Sequence, residues 1–247
     1  MEPRWLRIGH RGASGSAPEH TASAFRRAIE SGVDMIELDI QLSRDRELVV
    51  MHDLALERTT NGTGLVRERN FSDLKRLDCG SWFGSAFAGE TVLSLGEVIA
   101  LLPDRVRLNV EIKALEDDWE EISARLVELL RASGRLGNTI VSSFLFDALE
   151  QLRRHDADLP IGLLTHDPNL WGVWDWAERI AATSLHPYFA FVDEALIKAA
   201  HQRGMKVIVW TVNDMDAARR LVDLGVDGII TDFPEALDGL VRDDTIE

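Results

Sequence analysis

A single cysteine, Cys79, stands among the 247 residues of this chain. One cysteine excludes an intramolecular disulfide framework and a cysteine-ligated zinc site. Basic residues are also in short supply: 27 lysines and arginines against 42 aspartates and glutamates leave a net charge of −15. A pI near 4.9 argues against a nucleic-acid or anionic-membrane partner, since both call for a basic face. No run of about 18 apolar residues is present, so no stable membrane insertion is expected. Met1-Glu2-Pro3-Arg4-Trp5 leads into Leu6-Arg7-Ile8 without a signal-peptide-like apolar stretch, and a cytoplasmic location is the expectation. Against these absences, the 45% hydrophobic and 28% charged content is that of an ordinary globular chain. Its length suits one large domain with a core that needs no staples.

Short apolar runs alternate with amphipathic stretches throughout. The strand-like runs are Trp5–Gly9, Asp34–Leu42, Leu48–Met51, Val106–Ile112, Thr139–Phe144, Ile161–Thr165, Ala182–Leu185, Lys206–Val212 and Gly228–Thr231. Between most of them lie helical patterns: Phe25, Ala28 and Ile29 before Gly32, then Ile122, Leu126, Leu129 and Leu130, and more loosely Ala218, Leu221, Val222 and Gly225. Such alternation over this length predicts an α/β fold, a (β/α)8 TIM barrel occupying 1–247 as one domain. The surplus run is Leu48–Met51. Only Ser43-Arg44-Asp45-Arg46-Glu47 precedes it, too short for a parallel crossover, so it is read as the return of a hairpin. Eight strands then remain, each expected to be followed by one helix. Residues 54–91 lack the barrel period and are expected to form a small inserted subdomain after the second strand, before a helix near Leu95–Leu102. The Thr59-Thr60-Asn61-Gly62-Thr63-Gly64 run matches no phosphate-loop pattern and reads as a turn-rich connection.

In such barrels, chemistry sits at the C-terminal strand ends. There the sequence places Gly9-His10-Arg11-Gly12, Ile36-Glu37-Leu38-Asp39-Ile40, His52-Asp53 and Val110-Glu111-Ile112-Lys113. Glu37 and Asp39 are two apart and share one strand face, as do Glu111 and Lys113. If both pairs point inward, three carboxylates crowd one mouth. That is costly unless they are protonated or bound to a cation. Oxygen donors suit a hard divalent ion, calcium or magnesium, with manganese also compatible. A two-residue loop at Arg44-Asp45 would place His52 opposite Glu37, and one at Asp45-Arg46 would place it opposite Asp39. Either register turns the imidazole to the carboxylates, whereas a slip of one residue would turn it away. Two imidazoles, Arg11 and Lys113 beside a cation suit chemistry on a phosphate ester.

These residues closely resemble the glycerophosphodiester phosphodiesterase family. The match runs through Ile8-Gly9-His10-Arg11-Gly12, Ala17-Pro18-Glu19-His20-Thr21, Asp34-Met35-Ile36-Glu37-Leu38-Asp39, Val49-Val50-Met51-His52-Asp53, Leu56-Glu57-Arg58-Thr59-Thr60 and Glu111-Ile112-Lys113. It continues through Ser143-Phe144 and Val209-Trp210-Thr211-Val212-Asn213 to Gly228-Ile229-Ile230-Thr231-Asp232-Phe233-Pro234, covering about residues 7–236. The resemblance implies metal-dependent hydrolysis of glycerophosphodiesters to glycerol 3-phosphate and an alcohol such as choline or ethanolamine. It implies His10 and His52 as the acid/base pair, Glu37, Asp39 and Glu111 as ligands of one divalent cation, and Arg11 and Lys113 on the phosphoryl oxygens. Phe144, His186 and Trp210, at strand ends, are expected to contact the substrate. Two competing readings are a lysophospholipase D-like hydrolase and a non-catalytic phosphoester-binding barrel. The first would use Trp171, Trp174, Trp176, Phe189 and Phe191 as a rim for an acyl chain, although Trp171 and Trp174 also fit helix packing. The second is disfavoured because every implied catalytic residue is present. The sequence departs from the family at His20, where Asn is usual, at Arg46, where Gly is favoured, and at Val92-Leu93-Ser94-Leu95, where Ser94 is the expected helix N-cap.

Overall fold

The structure, a computed structural model, describes residues 4–113 and 115–240; the two ends of the expected 1–247 domain lie outside the described residues. Among the described residues ten strands form: β1 (Leu6–His10), β2 (Met35–Leu42), β3 (Leu48–Val50), β4 (Leu93–Ser94), β5 (Arg107–Ile112), β6 (Thr139–Ser143), β7 (Ile161–Thr165), β8 (Ser184–Pro187), β9 (Lys206–Val209) and β10 (Gly228–Thr231). Eight of them pair in parallel in the order β1, β10, β9, β8, β7, β6, β5, β2, and β1 also pairs with β2, so the sheet closes. This is a (β/α)8 TIM barrel. Strands buried on both faces read as continuous apolar runs, which is why the sequence shows them clearly. Leu6, Ile8, Met35, Ile208 and Ile230 fill the inside of the barrel. The alternate residues, among them Ile36, Leu38, Val110 and Leu163, pack outward against helices.

The helices are α1 (Ala22–Glu30), α2 (Phe71–Leu74), α3 (Leu95–Leu101), α4 (Trp119–Ala132), α5 (Phe146–His155), α6 (Val173–Arg179), α7 (Glu194–His201) and α8 (Met215–Leu224). On α4 the buried stripe is Ile122, Leu126 and Leu130, at the spacing of one helix face. Gly225 is not part of the α8 stripe; at φ +94° it is the left-handed cap that ends the helix. After β10 the described residues hold a 3₁₀ segment, Pro234–Gly239, and not the expected α-helix. No helix among the described residues is long and apolar enough to cross a membrane.

Beyond the rim, β2 continues into an antiparallel hairpin with β3, as expected, but the register corrects both expected alternatives. Ile40 pairs with Val50 and Leu42 with Leu48, one residue away from either. The loop has three residues, Arg44-Asp45-Arg46, closed by Ser43 N–H to the Glu47 carbonyl at 3.0 Å. Arg46 takes a left-handed conformation, φ +66°, as the third position of such a loop requires. Most side chains avoid that region, hence the preference for glycine there. Arg46 is held instead by Asp118 at 2.7 Å and Glu121 at 2.5 Å.

Residues 51–92 turn through 3₁₀ segments at Val66–Glu68 and Ser85–Phe87. Val49, Met51, Leu56, Val66, Leu74 and Val92 form a buried cluster of their own there. The Thr59–Gly64 run is a turn-rich connection, knit by bonds such as Thr60 Oγ1 to the Leu56 carbonyl. The chain returns through β4, an unexpected strand paired with β3, into α3. Ser94 caps that helix in a reciprocal capping box with Glu97.

Candidate active site

Inward alternation on β2 and β5 brings Glu37, Asp39 and Glu111 together, with Asp39 beside Glu111 and His10 beside Glu37 in register. One oxygen of each carboxylate lies within 4.8 Å of the others, and all three side chains are buried. Burial and the charges of Asp39 and Glu111 push Glu37 well above the usual carboxylate range. Burial and Asp39 push Glu111 up to about 8. Asp39 goes the other way: against the cost of burial, the Arg11 and Lys113 cations hold it low. Arg11 Nε stands 3.3 Å from Asp39, and Lys113 Nζ stands 2.5 Å from Glu111 and 3.5 Å from Asp39. Even so, both Asp39 oxygens are buried without a hydrogen bond. Crowded, under-satisfied oxygen acceptors are the donor set a hard divalent cation takes, so these residues fit such an ion.

Each of the two candidate imidazoles is backed by a carboxylate. His10 Nδ1 lies 2.5 Å from Asp232 Oδ1, and Asp232 also accepts from Ser14 Oγ at 2.8 Å and Asn213 Nδ2 at 2.6 Å. His52 Nδ1 lies 2.6 Å from Asp53 Oδ1. Beside an ionised carboxylate, Nδ1 carries the proton and donates it, which leaves Nε2 as the working nitrogen of each ring. His10 Nε2 stands 3.9 Å from Glu37. Burial, aided by Arg11 and Lys113, holds His52 below its ordinary value despite Asp39 and Asp53. His52 reaches the site although the hairpin register would turn it away. The last rung is Met51 N–H to the Asp39 carbonyl at 3.0 Å, and the chain bends out of the ladder at His52.

Arg11 and His20 both hold positive φ, +54° and +61°, in the loop after β1. That loop is pressed so closely on α1 that a side chain at Gly12, φ +88°, would meet the Ala24 backbone at 2.7 Å. His20 accepts the backbone N–H of Asp39 at 3.2 Å through Nε2. It therefore supplies an acceptor to the strand that carries the central carboxylate, and burial pushes its pKa down, which keeps that lone pair available.

These groups open on a cavity of about 160 Å³ at the C-terminal ends of the strands. His10, Arg11, Glu37, His52, Glu111 and Lys113 line it, with Asp39 buried behind them. Phe144 and Trp210 form an aromatic wall, edge to face at 5.4 Å, with Lys113 Nζ 5.6 Å from the Phe144 ring centre. His186 is not part of the wall. Its ring is fully buried in the space left by Gly162, where a Cβ would come within 2.5 Å of Nε2, and it meets Ser184 Oγ at 2.9 Å. Burial lowers its pKa to about 3, and only its carbonyl serves the site, by accepting Trp210 Nε1 at 2.8 Å. On the outer rim, Trp174 and Trp176 pack against the core while Trp171 is 81% exposed.

Sequence reasoning missed Asp53 and Asp232 as partners of the histidines, and Asn109 and Ser142 as cavity floor. Asn109 had a signal: it is two residues before Glu111 and so shares its inward face. Asp232 had one as well, at the end of the last strand of a barrel that closes on the strand carrying His10, although the two are 222 residues apart.

The site also predicts acid sensitivity. Against burial, Arg58 and Arg11 hold Glu19 down at about 2, and His10, Asn213 and Ser14 do the same for Asp232. Depressed folded-state values stabilise above the unfolded values of 4.5 and 3.8, and that stabilisation disappears as pH falls toward 2. Each group is worth up to about 2–3 kcal/mol. Urea unfolding is expected to show stability dropping from pH 5 to pH 3, with a shallower drop in Glu19→Gln. An unchanged slope in that variant would contradict the assignment.

The sequence matches the model of the glycerophosphoryl diester phosphodiesterase family over residues 10–236. A glycerophosphodiester phosphodiesterase of Caldanaerobacter subterraneus subsp. tengcongensis is 41% identical over 238 residues, covering 96% of this chain and 98% of that protein. One from Bacillus subtilis is 32% identical, covering 94% of this chain and 85% of its own. Among solved structures, an Oleispira antarctica phosphodiesterase in complex with the product sn-glycerol-3-phosphate superposes with a TM-score of 0.88. It is 33% identical and covers 93% of this chain and 94% of its own. A closed barrel, a carboxylate cluster at its mouth and a family match over nearly the whole length agree: the chain belongs to the glycerophosphoryl diester phosphodiesterase family.

Proposed function

We propose that the protein hydrolyses small glycerophosphodiesters, such as glycerophosphocholine or glycerophosphoethanolamine, to sn-glycerol 3-phosphate and an alcohol. The observation that carries this reading is the meeting of three carboxylates, two carboxylate-backed imidazoles and two cations in one small cavity. Glu37, Asp39 and Glu111 would hold one divalent cation, calcium or magnesium, with manganese also compatible. When bound, that cation supplies Lewis-acid stabilisation of charge on phosphoryl oxygens. Arg11 and Lys113 add local positive charge in a chain whose net charge of −15 repels phosphate. One imidazole, entering neutral, takes the proton from the attacking hydroxyl at Nε2, and the other, entering as imidazolium with a proton on Nε2 as well as on Nδ1, protonates the departing alkoxide.

The glycerol hydroxyl next to the phosphate is the proposed first nucleophile, giving a cyclic phosphate that water opens. Intramolecular attack gains from proximity, and on this route glycerol would be read strictly and the alcohol loosely. A deoxy analogue lacking that hydroxyl is expected to bind without turning over; brisk cleavage would overturn the cyclic route. A second reading, action on lysophospholipids, is favoured by the exposed Leu54, Leu65 and Leu115. They line a small indentation of about 20 Å³ that shares Lys113 with the cavity. Faster turnover of lysophosphatidylcholine than of glycerophosphocholine would select that reading.

A further inference from the structure

The hairpin ladder ends before His52, so the sheet does not fix this imidazole. A side-chain chain does. Arg58, in the segment after β3, donates Nη1 to Glu19 Oε2 and Nη2 to Glu19 Oε1, both at 2.8 Å. Its other edge donates Nε to Asp53 Oδ2 at 2.6 Å and Nη2 to Asp53 Oδ1 at 2.9 Å. Asp53 Oδ1 in turn meets His52 Nδ1. Glu19 Oε1 also accepts Arg11 Nη1 at 2.8 Å, and Arg11 Nε faces Asp39. One guanidinium thus ties the loop after β1, which carries Arg11, to the turn that carries His52. Arg58 itself is not among the residues lining the cavity.

We infer that Arg58 is a positioning residue: its two-edged clamp on Glu19 and Asp53 sets both the His52 imidazole and the Arg11 guanidinium for reaction. The inference rests on the phosphodiesterase reading of the site. An isolated exposed ion pair would hold little, but this guanidinium is forked on both sides, and a planar fork loses less freedom per bond than a flexible ammonium. Without it, Asp53 is free to rotate away from His52. Glu19 is then left to Arg11 alone and draws that guanidinium away from the cavity. A lysine, with one point charge, cannot grip four oxygens in this geometry.

The test uses the full chain, supplied with a divalent cation, as wild type, Arg58→Lys, Arg58→Ala, Asp53→Asn and the Arg58→Ala/Asp53→Asn double variant. Turnover of glycerophosphocholine, cation half-saturation and thermal melting are followed in each. For Arg58→Ala the expected result is a 10- to 100-fold loss in kcat, with KM and cation half-saturation within about threefold. Arg58→Lys recovers little of the loss, and the double variant loses clearly less than the product of the two single losses, because both act on the His52 imidazole while Arg58→Ala also releases Arg11 through Glu19. A wild-type kcat in a folded Arg58→Ala, or full additivity with Asp53→Asn, would overturn the inference while leaving the activity intact. A loss confined to variants that no longer melt cooperatively, with Arg58→Lys folded and fully active, would likewise reduce Arg58 to a structural residue. A wild type that releases no glycerol 3-phosphate would overturn the proposed function first, and this inference with it.

Discussion

His10→Asn and His52→Asn are each expected to lower kcat by about 10²–10⁴-fold while the cation still binds. Asparagine keeps a polar group of similar reach but offers no nitrogen that takes up and returns a proton near neutral pH. Neither ring is among the carboxylates that fit the cation, so calorimetric cation affinity is expected to stay within a few-fold of wild type. Burial and the cations beside it hold His52 below its ordinary value, whereas His10 leans on Asp232, itself fixed by Ser14 and Asn213. Asp232→Asn is therefore expected to fall between wild type and His10→Asn, since it disturbs the orientation of the ring and leaves its chemistry in place. Wild-type turnover in either histidine variant would remove that imidazole from the acid/base pair. Loss of cation binding along with turnover would reassign it to the metal site.

The second large effect concerns Asp39, the carboxylate at the centre of the cluster. Asp39→Asn is expected to weaken cation binding by more than about 100-fold and to abolish turnover. Thermal melting gives an independent reading. Saturating the wild type at about 100 times Kd adds about 2.7 kcal/mol, or about 5–10 °C in Tm for a chain of this size. The variant is expected to show almost none of that shift. The same comparison probes the electrostatics, because burial and mutual repulsion push Glu37 and Glu111 up and a bound cation relieves the repulsion. An equal Tm rise in wild type and Asp39→Asn would place the cation elsewhere.

Much of this arrangement was legible because strand alternation is short-range. Glu37 and Asp39, and likewise Glu111 and Lys113, sit two residues apart, and one inward residue fixes the other. The barrel was legible because its strands are buried on both faces and stand out as apolar runs. Features that depend on a single backbone choice were hidden. The hairpin register turned on Arg46 adopting a left-handed conformation that side chains rarely take, which shifted the pairing by one residue. The compensation was equally hidden: His52 escapes the ladder and is caught by Asp53 and Arg58. His186 misled because its strand-end position was visible, while the space left by Gly162 one strand away was not. Asp232 meets His10 only because the barrel closes its last strand on its first.

The most direct measurement of the central claim is release of glycerol 3-phosphate from glycerophosphocholine by the full chain. It is made as purified, after EDTA, and after calcium or magnesium is restored. The account predicts release that EDTA abolishes and the restored cation returns, with none from Asp39→Asn under any condition. Release that survives complete chelation would contradict the three-carboxylate cation site, and no release from a folded, cation-supplied wild type would contradict the proposed reaction itself.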